Sequence, residues 1–273
     1  MSRELPTTAV PPAGGDTELA SSVVVRLRAA GCVYAEDEAA LLVDEARDTD
    51  ELERLIARRS GGVPLELVVG WAEFCGRRFG VAPGVFVPRR RSEFLVEQAV
   101  GLGRAGMVVV DLCCGSGAIG ASVAARLGGV DLHAADLDPA AVRCAHDNLA
   151  HLHAEVHEGD LFDALPARLR GRIDLLLANA PYVPSGEVAN LPREARLYEP
   201  LLALDGGPDG LGLHQRIIVH APDWLAPGGH LLVETTDRQA PTVAAAMADV
   251  GLTPTVAVSD HLDVAVTAGH LPP

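Results

Sequence analysis

Lysine is absent from the 273-residue chain, aromatic residues make up only 4% of it, and no apolar run reaches the ~18 residues that a membrane-spanning helix needs. The missing lysine reads as the mark of a GC-rich coding sequence and bears little on mechanism. The N-terminus, MSRELPTTAV, lacks the basic-then-apolar order of a secretory signal. The expectation is therefore a soluble, cytoplasmic protein without membrane attachment. Cysteine is scarce as well. Cys32, Cys75, Cys113, Cys114 and Cys144 are odd in number and show no CxxC spacing, which argues against a disulfide framework and a zinc ribbon and fits a reducing compartment. Positive charge is short too: a formal net charge of −15 disfavours non-specific attraction to nucleic acid.

What is present is the composition of a folded protein, 48% hydrophobic and 22% charged. The length suits one catalytic domain of roughly 180–190 residues with a small accessory domain. Residues 1–17, rich in Pro and Gly, have no periodicity and read as a disordered tail. Residues 18–62 read as a helical domain. There Leu19, Val23 and Leu27 recur every four residues, Leu41 and Leu42 carry a second stretch, and Leu52, Leu55 and Ile56 share one face of a third, opened by Asp48 and Glu51 in a capping-box pattern. Residues 63–88 alternate loosely about Cys75-Gly76 and read as a β-hairpin linker.

From residue 89 to 273 helices and strands alternate, which predicts an α/β domain with a parallel sheet and crossover helices. Seven strands are expected, at 107–112, 130–137, 154–160, 173–178, 230–235, 254–258 and 262–268, the last two close enough to pair antiparallel. Asp138-Pro139 supplies an N-cap and a first-turn proline for one of the helices between them.

The segment from Asp111 through Cys113, Cys114 and Gly115 to Gly117 runs from the first of these strands into a helix, where glycines let the backbone approach a ligand. Asp136 ends the second strand and Asp160 the third. Carboxylates along one sheet edge suit a cofactor with ribose hydroxyls, an amino group and a positive sulfonium, and suit a pyrophosphate badly. S-adenosylmethionine is thus favoured over NAD. The plain reading, a tight turn made by two glycines, is outweighed by the matched acids. Cys113 and Cys114 have no nearby His and no second ligand pair, so they read as small packing residues of the loop, Cys113 within the cofactor-lining set. His151, His153 and His157 span a helix end and a strand and read as surface or packing residues; no metal site is expected.

After the fourth strand stands Asn179-Ala180-Pro181-Tyr182. An amide nitrogen is a poor nucleophile because its lone pair is delocalised into the carbonyl. A catalyst must hold that nitrogen in line with the methyl group and draw on both of its N–H bonds. The Asn179 side-chain oxygen and the Ala180 main-chain carbonyl can accept them, with Tyr182 packing on the flat amide. The bland alternative is a turn after a strand.

This stretch resembles the Asn-Pro-Pro-Tyr motif of amino-methyltransferases, in particular the protein-(glutamine-N5) methyltransferases that modify peptide-chain release factors. Val87-Pro88-Arg89 with Glu93-Phe94-Leu95-Val96, residues 64–79, Glu199-Pro200-Leu201 with Ala203-Leu204, and Asp209-Gly210-Leu211 resemble further segments of that family, from roughly residue 50 to 270. The resemblance implies a seven-stranded class I methyltransferase domain of Rossmann-like form and conversion of S-adenosyl-L-methionine to S-adenosyl-L-homocysteine. It implies that Asp111, Gly115, Gly117, Asp136 and Asp160 bind the cofactor, with Arg89, Glu93 and Asn179 close by, and that Asn179, Ala180, Pro181 and Tyr182 hold the target. The implied partner is a protein with a glutamine in a flexible loop, a release factor by the family's pattern. Ala180 departs from the family's proline, which implies a less preorganised loop. The helical domain is also short, and both departures imply a divergent paralogue. Two rivals stand beside this reading. A nucleic-acid amino-methyltransferase would have to extract a base and grip phosphates, against which the acidic, aromatic-poor chain counts, with Arg89-Arg90-Arg91 its one basic run. The other rival is a cofactor-binding module that has lost catalysis.

Overall fold

A computed structural model describes residues 14–273, with side chains from residue 19 onward. Most of the tail expected over residues 1–17 lies outside the described residues, and its last four residues are helical. The chain divides into two compact units, one ending at Val69 and one running from Gly70 to Pro273.

The first unit holds α1 (Gly14–Ala29), α2 (Ala35–Glu45), α3 (Thr49–Ser60) and α4 (Leu65–Val69). Val23, Leu27, Ala39, Leu42, Leu52 and Ile56 converge in its core, on the helical spacing read from the sequence. Asp48 caps α3 by accepting from the Glu51 N–H at 2.7 Å, while Glu51 reaches back to the Arg47 N–H at 3.0 Å. The expected capping box is thus shifted by one residue on its return arm. A buried ion pair, Arg59 to Glu38 at 2.6 Å, joins α3 to α2. The short α4 replaces the first part of the expected hairpin. A run such as Leu65-Glu66-Leu67-Val68-Val69 has no period that separates strand from buried helix, and the Pro64 carbonyl accepts the Val68 N–H at 3.0 Å to close a helical turn.

In the second unit β1 (Trp71–Phe74) and β2 (Arg77–Gly80) do form a hairpin. Its two-residue turn has positive φ at both Cys75 (50°) and Gly76 (68°), the twist that two-residue hairpin loops favour. Then follow α5 (Glu93–Leu102), β3 (Val108–Leu112), α6 (Ala118–Leu127), β4 (Asp131–Asp136), α7 (Pro139–Leu149), β5 (Glu155–Glu158) and β6 (Ile173–Ala178). The chain continues through α8 (Arg193–Tyr198), α9 (Gly212–Trp224), β7 (Leu225–Thr235), α10 (Ala240–Asp249), β8 (Thr253–Ser259) and β9 (Val264–His270). The sheet order is β5-β4-β3-β6-β7-β9-β8. Its first five strands are parallel, and β9 runs antiparallel to both neighbours.

Strands β3 and β6 are buried on both faces, which is why they are apolar but for one acid each, Asp111 and Asp174. One apolar layer packs on each face of the sheet. Asp138 caps α7 as expected, accepting from Ala140 N at 2.8 Å, with Pro139 in the first turn. From β3 the chain winds outward to β4 and β5, then returns to β6 on the other side. The crevice for a ligand in such a sheet lies at the carboxyl ends of the strands flanking that reversal.

Candidate active site

A cavity of about 250 Å³ lies at that reversal, lined by residues 113–116, 135–138, 159–161 and 179–183. The loop after β3 is turned by positive φ at Cys113 (56°), Gly115 (55°) and Gly117 (77°). Asp136 organises it: one carboxylate oxygen accepts from Gly115 N and the other from Asp138 N, both at 2.9 Å. Burial pushes the Asp136 carboxyl up from its ordinary range, opposed by those N–H donors. Each oxygen keeps a lone pair for a further donor. Asp160 also lines the cavity and is held by Arg216 at 2.8 Å.

Cys113 faces the cavity, but burial and then the nearby Asp136, Asp111 and Asp160 push its thiol far above the ordinary range. It packs as a neutral side chain. These residues suit a nucleoside bearing a sulfonium: carboxylates at the ends of adjacent strands can accept from hydroxyls and favour positive charge, and Leu137, Leu161 and Ile119 supply apolar walls.

Four residues assigned to the cofactor or its vicinity do not line this cavity. Asp111 is fully buried behind the loop, accepting from Gly120 N at 2.8 Å. It satisfies one of the unpaired N–H groups of the first turn of α6. Gly117 serves packing, since a Cβ there would sit 3.1 Å from Leu149. Arg89 pairs with the buried Glu199 at 2.5 Å, and Glu93 accepts from Cys75 N at 2.9 Å, anchoring the hairpin turn.

The motif after β6 is brought to the same cavity, with Asn179, Ala180, Pro181 and Tyr182 forming one wall. Its backbone is clamped from behind. Val183 N donates to Leu204 O at 3.1 Å, Gly206 N to Val183 O at 2.8 Å, and Gln239 Nε2 to Tyr182 O at 3.0 Å. The approach is so close that a Cβ on Gly206 would lie 2.6 Å from Pro181 O, and one on Gly210 2.2 Å from Tyr182 O. The slack expected from Ala180 is therefore offset by neighbours that hold the loop on both sides. Among the described residues no main-chain N–H donates to the Ala180 carbonyl.

Sequence reasoning missed Ser92 and Glu234, and read Arg91 only as part of a basic run. Asn179 Nδ2 donates to Ser92 Oγ at 3.0 Å. Tyr182 donates its hydroxyl to Glu234 at 3.3 Å, and Arg91 lies 3.7 Å from the same carboxylate oxygen and over the Tyr182 ring. Glu234 is 0% exposed, and burial pushes its carboxyl up. The signal for it was available: a lone acid at the end of an apolar strand, the same placement that singled out Asp136.

His133 Nδ1 and His157 Nε2 lie 3.1 Å apart, with Glu155 nearby. Their ring centroids are 5.4 Å apart and the planes 17° from parallel. The rings are close to parallel, with a nitrogen of one within hydrogen-bond distance of a nitrogen of the other.

A family profile described as methyltransferase small domain matches residues 78–194. A release factor glutamine methyltransferase of Cereibacter sphaeroides is 36% identical over 253 residues, covering 85% of this chain and 89% of that protein. The chain spans 66%, just under two thirds, of the length of two others bearing that name. A 4-amino-L-phenylalanine/4-methylamino-L-phenylalanine methyltransferase of Streptomyces pristinaespiralis is 36% identical over 70% of this chain and 67% of its own. Among solved structures, a methyltransferase from Pyrococcus furiosus superposes with a TM-score of 0.56 at 15% identity, over 73% of this chain and 91% of that one.

Proposed function

Because the chain belongs to the release factor glutamine methyltransferase family, we propose that it methylates the side-chain amide nitrogen of a glutamine in a protein substrate, a peptide-chain release factor in the first instance. The observation that carries this reading is that Asn179, Ala180, Pro181 and Tyr182 line the same cavity as Asp136 and Asp160. Bound S-adenosylmethionine supplies an electrophilic methyl group on a sulfonium that leaves as a neutral thioether. Asp136, Asp160 and the loop of residues 113–116 hold the nucleoside and favour its positive charge. Asn179 Oδ1 and the Ala180 carbonyl accept the two N–H bonds of the target amide, aligning the nitrogen and drawing its lone pair out of conjugation as the new bond forms. Tyr182, whose phenol burial keeps neutral, closes the pocket over the amide.

The test is transfer of labelled methyl from S-adenosylmethionine to a release factor, with fragmentation mass spectra of the labelled peptide. A methyl on glutamine nitrogen is expected; a methyl on lysine, arginine or a carboxylate overturns the reading. One second reading has a specific support, the relative named for an aromatic amine, which is also 36% identical but over a shorter stretch. An arylamine also offers two N–H bonds to two acceptors, so free 4-aminophenylalanine belongs in the same assay, and its exclusive labelling would replace the protein substrate.

A further inference from the structure

We infer that Asn148 is a positioning residue of the cofactor half of the site: its side-chain amide ties the loop after β3 to the end of β2, and so fixes two segments of the cavity lining relative to each other. This deepens the proposed function and rests on its assignment of the cavity to S-adenosylmethionine.

Asn148 lies near the end of α7. Its Oδ1 accepts from Gly80 N at 2.8 Å, while its Nδ2 donates to Gly80 O and to Ser116 O, both at 2.9 Å. A carboxamide has two N–H donors and an acceptor oxygen, so both N–H bonds and the oxygen are engaged by main chain. Gly80 meets the amide as it would meet a neighbouring strand, through one N–H and one C=O. These partners also fix the polarity. A flipped amide would set Nδ2 against the Gly80 N–H and Oδ1 against two carbonyl oxygens.

What the amide joins gives it a part in binding. Ser116 belongs to the loop after β3 and lines the cavity; Gly80 ends β2, shortly before Gly84, Val85 and Phe86, which line it too. The two segments come close, since a Cβ on Gly115 would lie 4.0 Å from the Phe86 Cβ. Among the described residues no main-chain N–H donates to the Ser116 carbonyl. The peptide between Ser116 and Gly117 therefore takes its orientation from Asn148, just ahead of the first turn of α6. Asp136 holds the Gly115 N–H of the same loop, and Asn148 holds the carbonyl of the next residue. A loop fixed at only one of these points can tilt, and a binding site loses affinity when its lining shifts by more than about 0.5 Å. None of the three Asn148 bonds involves residues 179–182, so the acceptor half of the site is left as it is.

The experiment uses the full chain, calorimetry with S-adenosylmethionine and with S-adenosylhomocysteine, and turnover on the acceptor that the unaltered protein methylates. Asn148→Ala is expected to raise the Kd of both ligands about ten-fold, the scale of one or two lost hydrogen bonds. The KM for S-adenosylmethionine rises with it, while kcat at saturation stays within about two-fold, because the residues that hold the acceptor are untouched. Asn148→Asp keeps the shape and the acceptor for the Gly80 N–H but sets a carboxylate against two carbonyl oxygens, so its Kd rises at least as far. Being nearly isosteric, it decides the question if the alanine variant does not fold. Cys144 Sγ also donates to Gly80 O, at 3.2 Å. Cys144→Ala therefore disturbs the contact with β2 and spares the bond to Ser116, and its Kd is expected to stay within about two-fold.

A folded Asn148 variant with a Kd within about two-fold of the unaltered protein's overturns the inference. So does an equal rise in Cys144→Ala, or a fall in kcat with Kd unchanged. If the unaltered protein binds neither ligand, the cofactor reading of the cavity fails and the inference falls with it. The titration of the unaltered protein separates that failure from a failure of Asn148 alone.

Discussion

Asn179 is the side chain on which the chemistry turns, and its surroundings make the consequence of removing it specific. Asn179→Ala deletes an acceptor from the wall that faces the reacting nitrogen. Turnover on the methyl-accepting substrate is expected to fall about a hundred- to a thousand-fold, the usual effect of losing one preorganised electrostatic partner of a transition state. Cofactor affinity by calorimetry should stay nearly constant, since Asp136 and the loop after β3 are untouched. A variant with near-normal turnover would reduce the motif to a turn. Ala180→Pro is expected to leave turnover similar, because the acceptor at that position is a main-chain carbonyl and the loop is already held by Leu204, Gly206 and Gln239. The motif itself was legible in the sequence, because four consecutive residues carry it. Ser92 and Glu234 were not, since nothing local links either of them to a motif far away in the chain.

At the scale of elements, the site depends on how closely the segment from Leu204 to Gly210 can approach the motif. Gly210 has φ +76° and no room for a methyl group against the Tyr182 carbonyl, whereas Gly207 has φ +94° and open space. Gly207→Ala should therefore cost only the left-handed backbone penalty, about 1–2 kcal/mol. Gly210→Ala should cost more and displace the motif, lowering the melting temperature and turnover together. Equal effects of the two substitutions would show that close approach is not what Gly210 provides. A comparable constraint couples β3 to α6: Gly120 leaves room for Asp111, whose β-carbon a Cβ there would meet at 3.1 Å. Sequence reading took Asp111 for a cofactor ligand because an acid at the end of the first strand is adjacent to the glycine loop. Packing instead turned it inward, to the start of the helix.

That inward acid sets a property of the whole molecule. Burial raises the Asp111 carboxyl to about 7, the Gly120 N–H opposing and Asp136 adding to the rise, against roughly 4 in an unfolded chain. The folded state thus holds this proton more tightly than the unfolded one. Its contribution to stability is fully present below about pH 4 and is lost as pH rises through about 7. Denaturant melts across that interval should show Asp111→Asn with a flatter pH dependence than the unaltered protein, because asparagine still accepts from Gly120 and carries no charge. Identical pH profiles would remove Asp111 from the account. The division of the chain supplies a second test. Every cavity-lining residue belongs to the unit from Gly70 to Pro273, so a chain restricted to that unit is expected to bind S-adenosylmethionine with an affinity within a few-fold of the full chain by calorimetry. A loss of binding in a well-folded fragment would assign the first unit a part in the cofactor site.

The sequence alone determined the elements whose cause is local. The strands β3 and β6 follow from short, mostly apolar runs, α7 from Asp138-Pro139, the hairpin turn from Cys75-Gly76, and the placement of Asp136, Asp160 and the motif from their positions at strand ends. Each rests on propensity, periodicity or capping among neighbours in the chain. The tertiary structure decided whatever depends on which elements meet. It inserted β9 between β7 and β8, turned Asp111 away from the cavity, paired Arg89 with Glu199, and set Ser92 beside Asn179 and Glu234 beside Tyr182. Those outcomes follow from burying two apolar layers on one twisted sheet. That burial brings residues far apart in the chain within hydrogen-bond range by an order of strands that local spacing does not encode.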